Sequence, residues 1–441
     1  MEYETIAILM FSTMLLMMIT GQRVFGAIGF VAVVAAISLW GTGGSDMGFS
    51  AVMKLMKWTP LLTLPMFVFM GYVMSESRLA EDLYKMFHVW FGPLPGGLAI
   101  GTILLMVMIS AMNGLSVAGM AIGATIALPE LVKRNYDKLM ISGVIQAGSS
   151  LGILIPPSVV LVLYALIARQ PVSHLWLAGL LPGLLMAAFF ILYIVIRCKM
   201  NPALAPAMSR EEVAAIPRQE KLKLLRAGLL PLFIFAAMMI PFVNGWTSLT
   251  EASVVGALSA VVAAVIKGRF TRDVFEIATR STLAITVMFM LIITAALSFG
   301  AVFDGLGASN AIKDFFLEDL GLGPWQVLIL MQLSFIVMGM FLDDTAMLVI
   351  VAPVYVLLAK ELDFDLIWYG ILYTITCQIA YLTPPFGYNL FLMKAMAPAE
   401  FTLPVIYRSV LPFVLVMLGT LITVMIFPQI ALWLPETVYG R

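Results

Sequence analysis

Two acidic residues, Asp343 and Asp344, followed by Thr345, occupy the turn FLDDTA between the apolar segments 325–341 and 345–360. A carboxylate in hydrocarbon costs at least ~2.5 kcal/mol even on lenient insertion scales, and survives where a cation or hydrogen bonds offset that cost. An aspartate ahead of Thr-Ala-Met-Leu is also a good helix N-cap, and the two roles are compatible. A second polar turn, AMNGLS, carries Asn113, Gly114 and Ser116 between segments 97–112 and 115–134. Two further segments are broken by Pro pairs. GSSLGILIPPS (148–158) supplies Gly148, Ser149, Ser150 and Pro156, and QIAYLTPPFGYNLF (378–391) supplies Thr383, Gly387 and Asn389. Proline removes a helix donor and glycine relaxes the backbone, so carbonyls at such a break are spared by the next turn. Free carbonyls and unwound half-helix ends suit a hard monovalent cation, while half-helix N-termini face anionic groups. The chemistry is ion and solute coordination. For either break alone, a Pro kink absorbed by packing is an equal reading; duplication beside a polar turn weighs against it.

The elements holding these residues form two copies of one plan. Residues 137–157 read DKLMISGVIQAGSSLGILIPP and residues 365–385 read DLIWYGILYTITCQIAYLTPP, each an aspartate with a Pro-Pro pair nineteen residues later. Paired Gly/Pro interruptions at corresponding positions of two halves mark the binding site of a secondary transporter. The expected plan for each half is two spans, a short amphipathic piece (49–58 and 269–280), a third span, a pair of shortened helices, a Pro-broken span and a last span. The halves are 1–197 and 228–441, joined by a polar connector at 198–227. If each shortened pair enters the bilayer and returns on the same side, each half crosses five times, and the second half must be inverted. Lysine and arginine placement tests this, because cytoplasmic loops collect them. With both termini outside, 19 of the 25 basic residues fall in inner loops.

With 62% hydrophobic and 11% charged residues, the chain reads as an all-α polytopic membrane protein. Its formal net charge of zero gives no field for nucleic acid. The first twenty residues carry Glu2 and Glu4 in place of a basic region and read as a first helix, not a cleaved leader. Cys198 and Cys377 are expected to be unpaired core residues. His88 and His174 are expected in loops at opposite ends of the bilayer. Without a converging nucleophile, base or metal-ligand cluster, an enzyme is disfavoured. Gly119, Gly123 and Ala127 form a small-residue stripe expected to pack closely.

The segments NGLSVAGMAIGATIALPELVKRNYDK, GSSLGILIPPSVVLVLY, HLWLAGLLPGLL, GMFLDDTAMLVIVAPV and YLTPPFGYNLFLMKAM, in this order, resemble the large membrane subunit (DctM-like permease) of tripartite ATP-independent periplasmic (TRAP) transporters. The resemblance runs over nearly the whole chain. It implies an elevator-type ion transporter fold with two inverted repeats, each with a re-entrant hairpin and a broken helix. It also implies sodium-driven import of a small organic solute, an organic acid in many members, across the cytoplasmic membrane of a bacterium or archaeon. The partners implied are a periplasmic substrate-binding protein and a small membrane subunit, within membrane lipid; no cofactor beyond Na⁺ is implied. Carried over by position, one sodium site involves Asn113, Gly114, Ser116, Gly148, Ser149 and Pro156, and the other Asp343, Asp344, Thr345, Thr383 and Gly387. Ser150 and Asn389 are assigned to substrate. The Asp-Asp-Thr tip departs from a neutral polar cluster and leaves room for a coupled proton. The alternative is a stand-alone ion-coupled carboxylate symporter or exchanger of the same superfamily, which a neighbouring binding-protein gene would disfavour.

Overall fold

The computed structural model describes residues 3–114, 116–207, 217–308, 321–340, 344–385 and 387–440, and every regular element among them is helical. Five of the described helices are long and apolar enough to cross a membrane: Val172–Met200, Lys221–Val243 (within Arg218–Val243), Leu249–Ile266, Arg272–Gly305 and Leu403–Ile426. Shorter apolar helices stand where the sequence is punctuated. Both aspartates that open the repeated segments act alike. Asp137 accepts from the backbone N–H groups of Leu139 and Met140, and Asp365 from those of Ile367 and Trp368. Each satisfies donors that a helix start leaves orphaned.

Both Pro pairs interrupt helices. Lys138–Ser150 passes through a short 3₁₀ turn, Leu151–Ile153, and the chain resumes as Val159–Ala168. Leu366–Leu382 stops before the second pair, and Tyr388–Met396 follows. Pro156-Pro157 and Pro384-Pro385 are both cis. Ahead of each broken helix lies a hairpin, Gly97–Asn113 with Ser116–Ile122 and its continuation to Lys133, and Pro324–Gly339 with Asp344–Glu361.

Packing repeats itself when the halves are exchanged. Gly97–Asn113 lies on Lys138–Ser150 as Pro324–Gly339 lies on Leu366–Leu382. Each returning hairpin arm meets the far piece of the other half's broken helix: Ser116–Ile122 meets Tyr388–Met396, and Asp344–Glu361 meets Val159–Ala168. The last span of each half, Val172–Met200 or Leu403–Ile426, packs on the broken helix of the other. The two broken helices run in opposite senses. Lys138 at the start of the first forms a 2.8 Å ion pair with Glu400 beyond the end of the second. Tyr164, near the end of the first, donates at 2.7 Å to the carbonyl of Leu366 at the start of the second. This is an inverted-repeat arrangement.

One basic end is assembled by contact. Asp82 bonds to Lys267 at 3.0 Å and to Arg269 at 3.2 Å, and Asp137 N–H donates to Leu204 in the connector. Leu98 N–H donates at 3.3 Å to the Tyr136 hydroxyl in a loop at this end, and burial pushes that phenol up to about 12.

Several expectations change. Residues 272–280 are not a separate amphipathic piece but the first turns of a continuous 34-residue helix, Arg272–Gly305. In the first half, Gly44–Met56 spans most of the expected piece, and a second amphipathic helix, Leu79–Phe91, precedes the hairpin. Its sequence LAEDLYKMFHVWF puts Leu79, Leu83 and Tyr84 in the core beside the ion-paired Asp82 and turns Lys85 outward, a pattern too short and too charged to cross a bilayer. The chain between the third span and hairpin two, 309–320, lies outside the described residues. His88 and His174 are helical, not in loops: His88 belongs to Leu79–Phe91, and His174 begins Val172–Met200, where its ring stacks on Tyr439 at 4.6 Å. Cys198 and Cys377 are buried and not joined in a disulfide.

Candidate functional site

The first hairpin tip touches the first break. Gly114 has φ +65°, and a Cβ there would lie 2.2 Å from the Pro157 carbonyl oxygen. Only glycine combines that backbone with that approach. Val159 N–H reaches back to the Gly114 carbonyl at 3.4 Å, so tip and break are stitched together. Behind the tip, Gly119 brings its helix against Ser149, whose Cα would be 3.2 Å from an added Cβ, and Gly123 does the same against Ile145. The small-residue stripe is thus a close-packing surface. Gly148 is glycine for the same reason, because a Cβ would meet Met106 at 2.7 Å.

The carbonyls of the first break are less free than the Pro pair suggests. Ser150 O accepts from Gln378 Nε2 at 2.9 Å, Ile153 O from the Ser158 hydroxyl, and Ser158 O from Trp176 Nε1 at 3.2 Å. Ser158 also caps the resumed helix, accepting from Leu161 N–H at 3.2 Å. Residues 140–165 are buried throughout, Pro156 and Pro157 included.

The second break is built differently. Thr383 N–H bonds to Ala380 O at 3.1 Å, its hydroxyl donates to Ile379 O at 2.7 Å, and Gly387 N–H returns to Thr383 O at 3.2 Å. A Cβ on Gly387 would lie 2.5 Å from Tyr381 O and 2.9 Å from Thr383 O. Two backbone oxygens therefore converge on one side of a tight loop. Thr383 is partly exposed and Pro384 and Pro385 are exposed.

Asn389, fully buried, leaves the second break and enters the first site. Its amide lies 3.1–3.2 Å from the Ser116 hydroxyl and donates at 3.3 Å to the Ser149 hydroxyl. The structure thus joins Ser116, Ser149 and Asn389, sets Gly114 against Pro157 and Ser150 against Gln378, buries Gly148 and Pro156 along the same broken helix, and leaves Thr383 and Gly387 at the neighbouring break. Asn113 ends the first hairpin arm, and its side chain, like those of Asp344 and Thr345, lies outside the described residues; Asp343 does so entirely.

Sequence reasoning missed the glutamines. Gln378 stands six residues before its Pro pair, as Ser150 does before its own, so equivalent positions of the repeats touch. Gln146 joins Ser142 and Ser409, donating at 2.9 Å to the first and 3.5 Å to the second. Gln332, on the hairpin-two arm, accepts from Thr376 at 2.5 Å. Each is an uncharged polar side chain inside an apolar run, a signal in its own right.

An all-helical membrane protein whose two inverted halves bring both broken helices and the first hairpin tip to one buried polar junction has the architecture of a secondary transporter. The family model for the tripartite ATP-independent periplasmic transporter, DctM component, matches residues 11–430. The chain belongs to that family. It is 31% identical over 380 residues to the C4-dicarboxylate TRAP transporter large permease protein DctM of Pseudomonas aeruginosa, covering 85% of this chain and 86% of that one. It is 28% identical to the ectoine/5-hydroxyectoine TRAP transporter large permease protein UehC of Ruegeria pomeroyi, covering 86% and 87%. Among solved structures, the YdaH transporter of Alcanivorax borkumensis shares the fold, with a TM-score of 0.65 at 15% identity over 89% of this chain and 90% of that one.

Proposed function

We propose that the chain is the translocating subunit of a sodium-coupled importer, taking a small organic solute of the organic-acid class from a periplasmic binding protein and working with a small membrane subunit. The observation that carries this reading is the buried junction where Ser150 meets Gln378 and where Ser116, Ser149 and Asn389 converge. Hydroxyl, amide and carbonyl oxygens in a buried setting suit Na⁺, and the relatives are named as TRAP permease proteins for C4-dicarboxylate and ectoine.

Hairpin one, both broken helices and hairpin two form the transport unit in this proposal, with solute held between the tips. The first spans of each half, within 1–197 and 228–441, form the scaffold, and 198–227 connects the halves on the cytoplasmic side. The basic end built from Asp82, Lys267, Arg269, Lys138 and Glu400 faces the cytoplasm, and both termini face the periplasm. Sodium would order the tips, and the unit would then cross as a rigid body. A ligand shifts such an equilibrium only by its differential affinity for the two states, so ion sites assembled by tip and break together fit the task.

The test is uptake by proteoliposomes holding the large and small subunits, with loaded binding protein outside. Uptake is expected only with an inward sodium gradient and with binding protein present. Equal uptake in sodium-free buffer rejects the coupling, and uptake of free solute without binding protein rejects the delivery route.

A further inference from the structure

The two breaks are joined by side chains that both come from the second repeat and both end on the first. Gln378 Nε2 donates to Ser150 O at 2.9 Å, and Asn389 Nδ2 donates to Ser149 Oγ at 3.3 Å and contacts Ser116 Oγ at 3.1 Å. The five serine and amide residues are buried. Ser150 O can only accept, so the Gln378 amide has one permitted orientation. Its Oε1 is then buried without a hydrogen-bond partner among the described residues. A bare buried acceptor is a costly state that a native fold retains for a reason.

These bonds span the residues on which both candidate ion sites depend. Ser116 and Ser149 belong to the first site, while Gln378 and Asn389 stand on the two helices flanking Thr383 and Gly387 at the second. A cation that draws the Ser116 and Ser149 oxygens together also fixes Asn389. That fixes the start of Tyr388–Met396, and with it the loop whose Tyr381 and Thr383 oxygens converge beside Gly387. Gln378 carries the same constraint from the first half-helix end to the second.

We infer that Gln378 and Asn389 are positioning residues that couple the two breaks, so that ion occupancy at one raises ion affinity at the other. The inference rests on the sodium-coupled reading above and adds to it a physical path between sites. Coupling of this kind is reciprocal, so either variant weakens both sites' mutual effect.

The test is the sodium dependence of initial uptake rates in the reconstituted complete transporter. The wild type is expected to show a Hill coefficient approaching about 2, the number of coupled sites. Gln378→Met and Asn389→Ala are each expected to lower it toward 1 and to raise the half-saturating sodium concentration severalfold; Gln378→Met, which removes none of the residues assigned to solute, keeps uptake at saturating sodium. Thr374→Val is the control, since Thr374 is buried on the same helix but bonds to its own Gly370 carbonyl at 2.8 Å; its Hill coefficient should match wild type. If Gln378→Met fails to fold, Gln378→Asn, one methylene short of Ser150 O, takes its place with the same expectation. A sodium-dependent wild type with a Hill coefficient of 1, or variants that keep the wild-type coefficient, overturns the coupling alone. Sodium-independent uptake by the wild type overturns the functional reading itself.

Discussion

The first break is sealed and the second lies open, although both descend from one pattern. Ile155 and Thr383 each stand one residue before their Pro pair; Ile155 is 1% exposed, whereas Thr383 is partly exposed and the prolines after it are exposed. The hairpin interfaces differ in the same direction. In the first half Met106 fills the space left by Gly148, a dry contact, and at the corresponding place in the second half Gln332 bonds to Thr376. One repeat closes its break and packs an apolar side chain at its hairpin interface; the other exposes its break and buries a polar pair at that interface. Irregular polar backbone is tolerated at membrane depth only against protein or water. The exposed side of the second break should therefore be wet.

Thiol labelling gives the largest expected contrast. With Thr383→Cys or Ile155→Cys, a membrane-impermeant maleimide should modify residue 383 and leave residue 155 unmodified under native conditions. The native thiols add little background, since Cys198 and Cys377 are both buried. Equal labelling, or none at residue 383, would erase the asymmetry.

Gly114→Ala comes next. The left-handed backbone alone costs a non-glycine residue roughly 1–2 kcal/mol, and the approach to Pro157 O leaves no room for a methyl group. Tip and break must separate, so transport should be lost while the protein still inserts. The measurement is uptake beside a detergent melting curve; wild-type uptake would show that the tip does not bear on the break.

The symmetry of the fold was legible in the sequence because its causes are local. Pro-Pro pairs stop helices wherever they occur, and Asp137 and Asp365 cap whatever follows them. The tip glycine was legible too. What could not be read was which oxygens remain unbonded. That depends on Gln378, Trp176 and Ser158, side chains brought in by neighbours or by the far repeat. The second amphipathic piece failed for a related reason. A charged, periodic stretch such as 269–280 looks alike whether it lies on the surface or opens a long helix, and only packing against neighbours decides.

Smaller effects sharpen the comparison of hairpin interfaces. Gly148→Ala drives a methyl group against Met106, and overpacking of this kind costs about 1–3 kcal/mol, moderated here by the flexible methionine. Gln332→Leu should be close to neutral. Thr376 keeps its bond to Leu372 O at 2.9 Å, and the unpartnered Gln332 Nε2 disappears. Replacing such a group by an apolar one of similar shape is often neutral or stabilising. If uptake falls while the melting temperature holds, the polar interface serves transport; if both hold, the asymmetry is only packing.

The smallest effect is the most symmetric. Asp137 and Asp365 each accept two backbone donors at the start of a broken helix, at 2.8–3.2 Å. Replacing a capping aspartate by alanine costs typically about 1 kcal/mol, and both copies make the same pair of bonds. Asp137→Ala and Asp365→Ala should lower stability by similar amounts in thermal unfolding, with little change in the sodium concentration for half-maximal uptake. A much larger loss for Asp137→Ala would show that the sealed repeat also bears the load of its neighbouring Lys138–Glu400 pair at the basic end, and that the difference between the repeats extends to their helix starts.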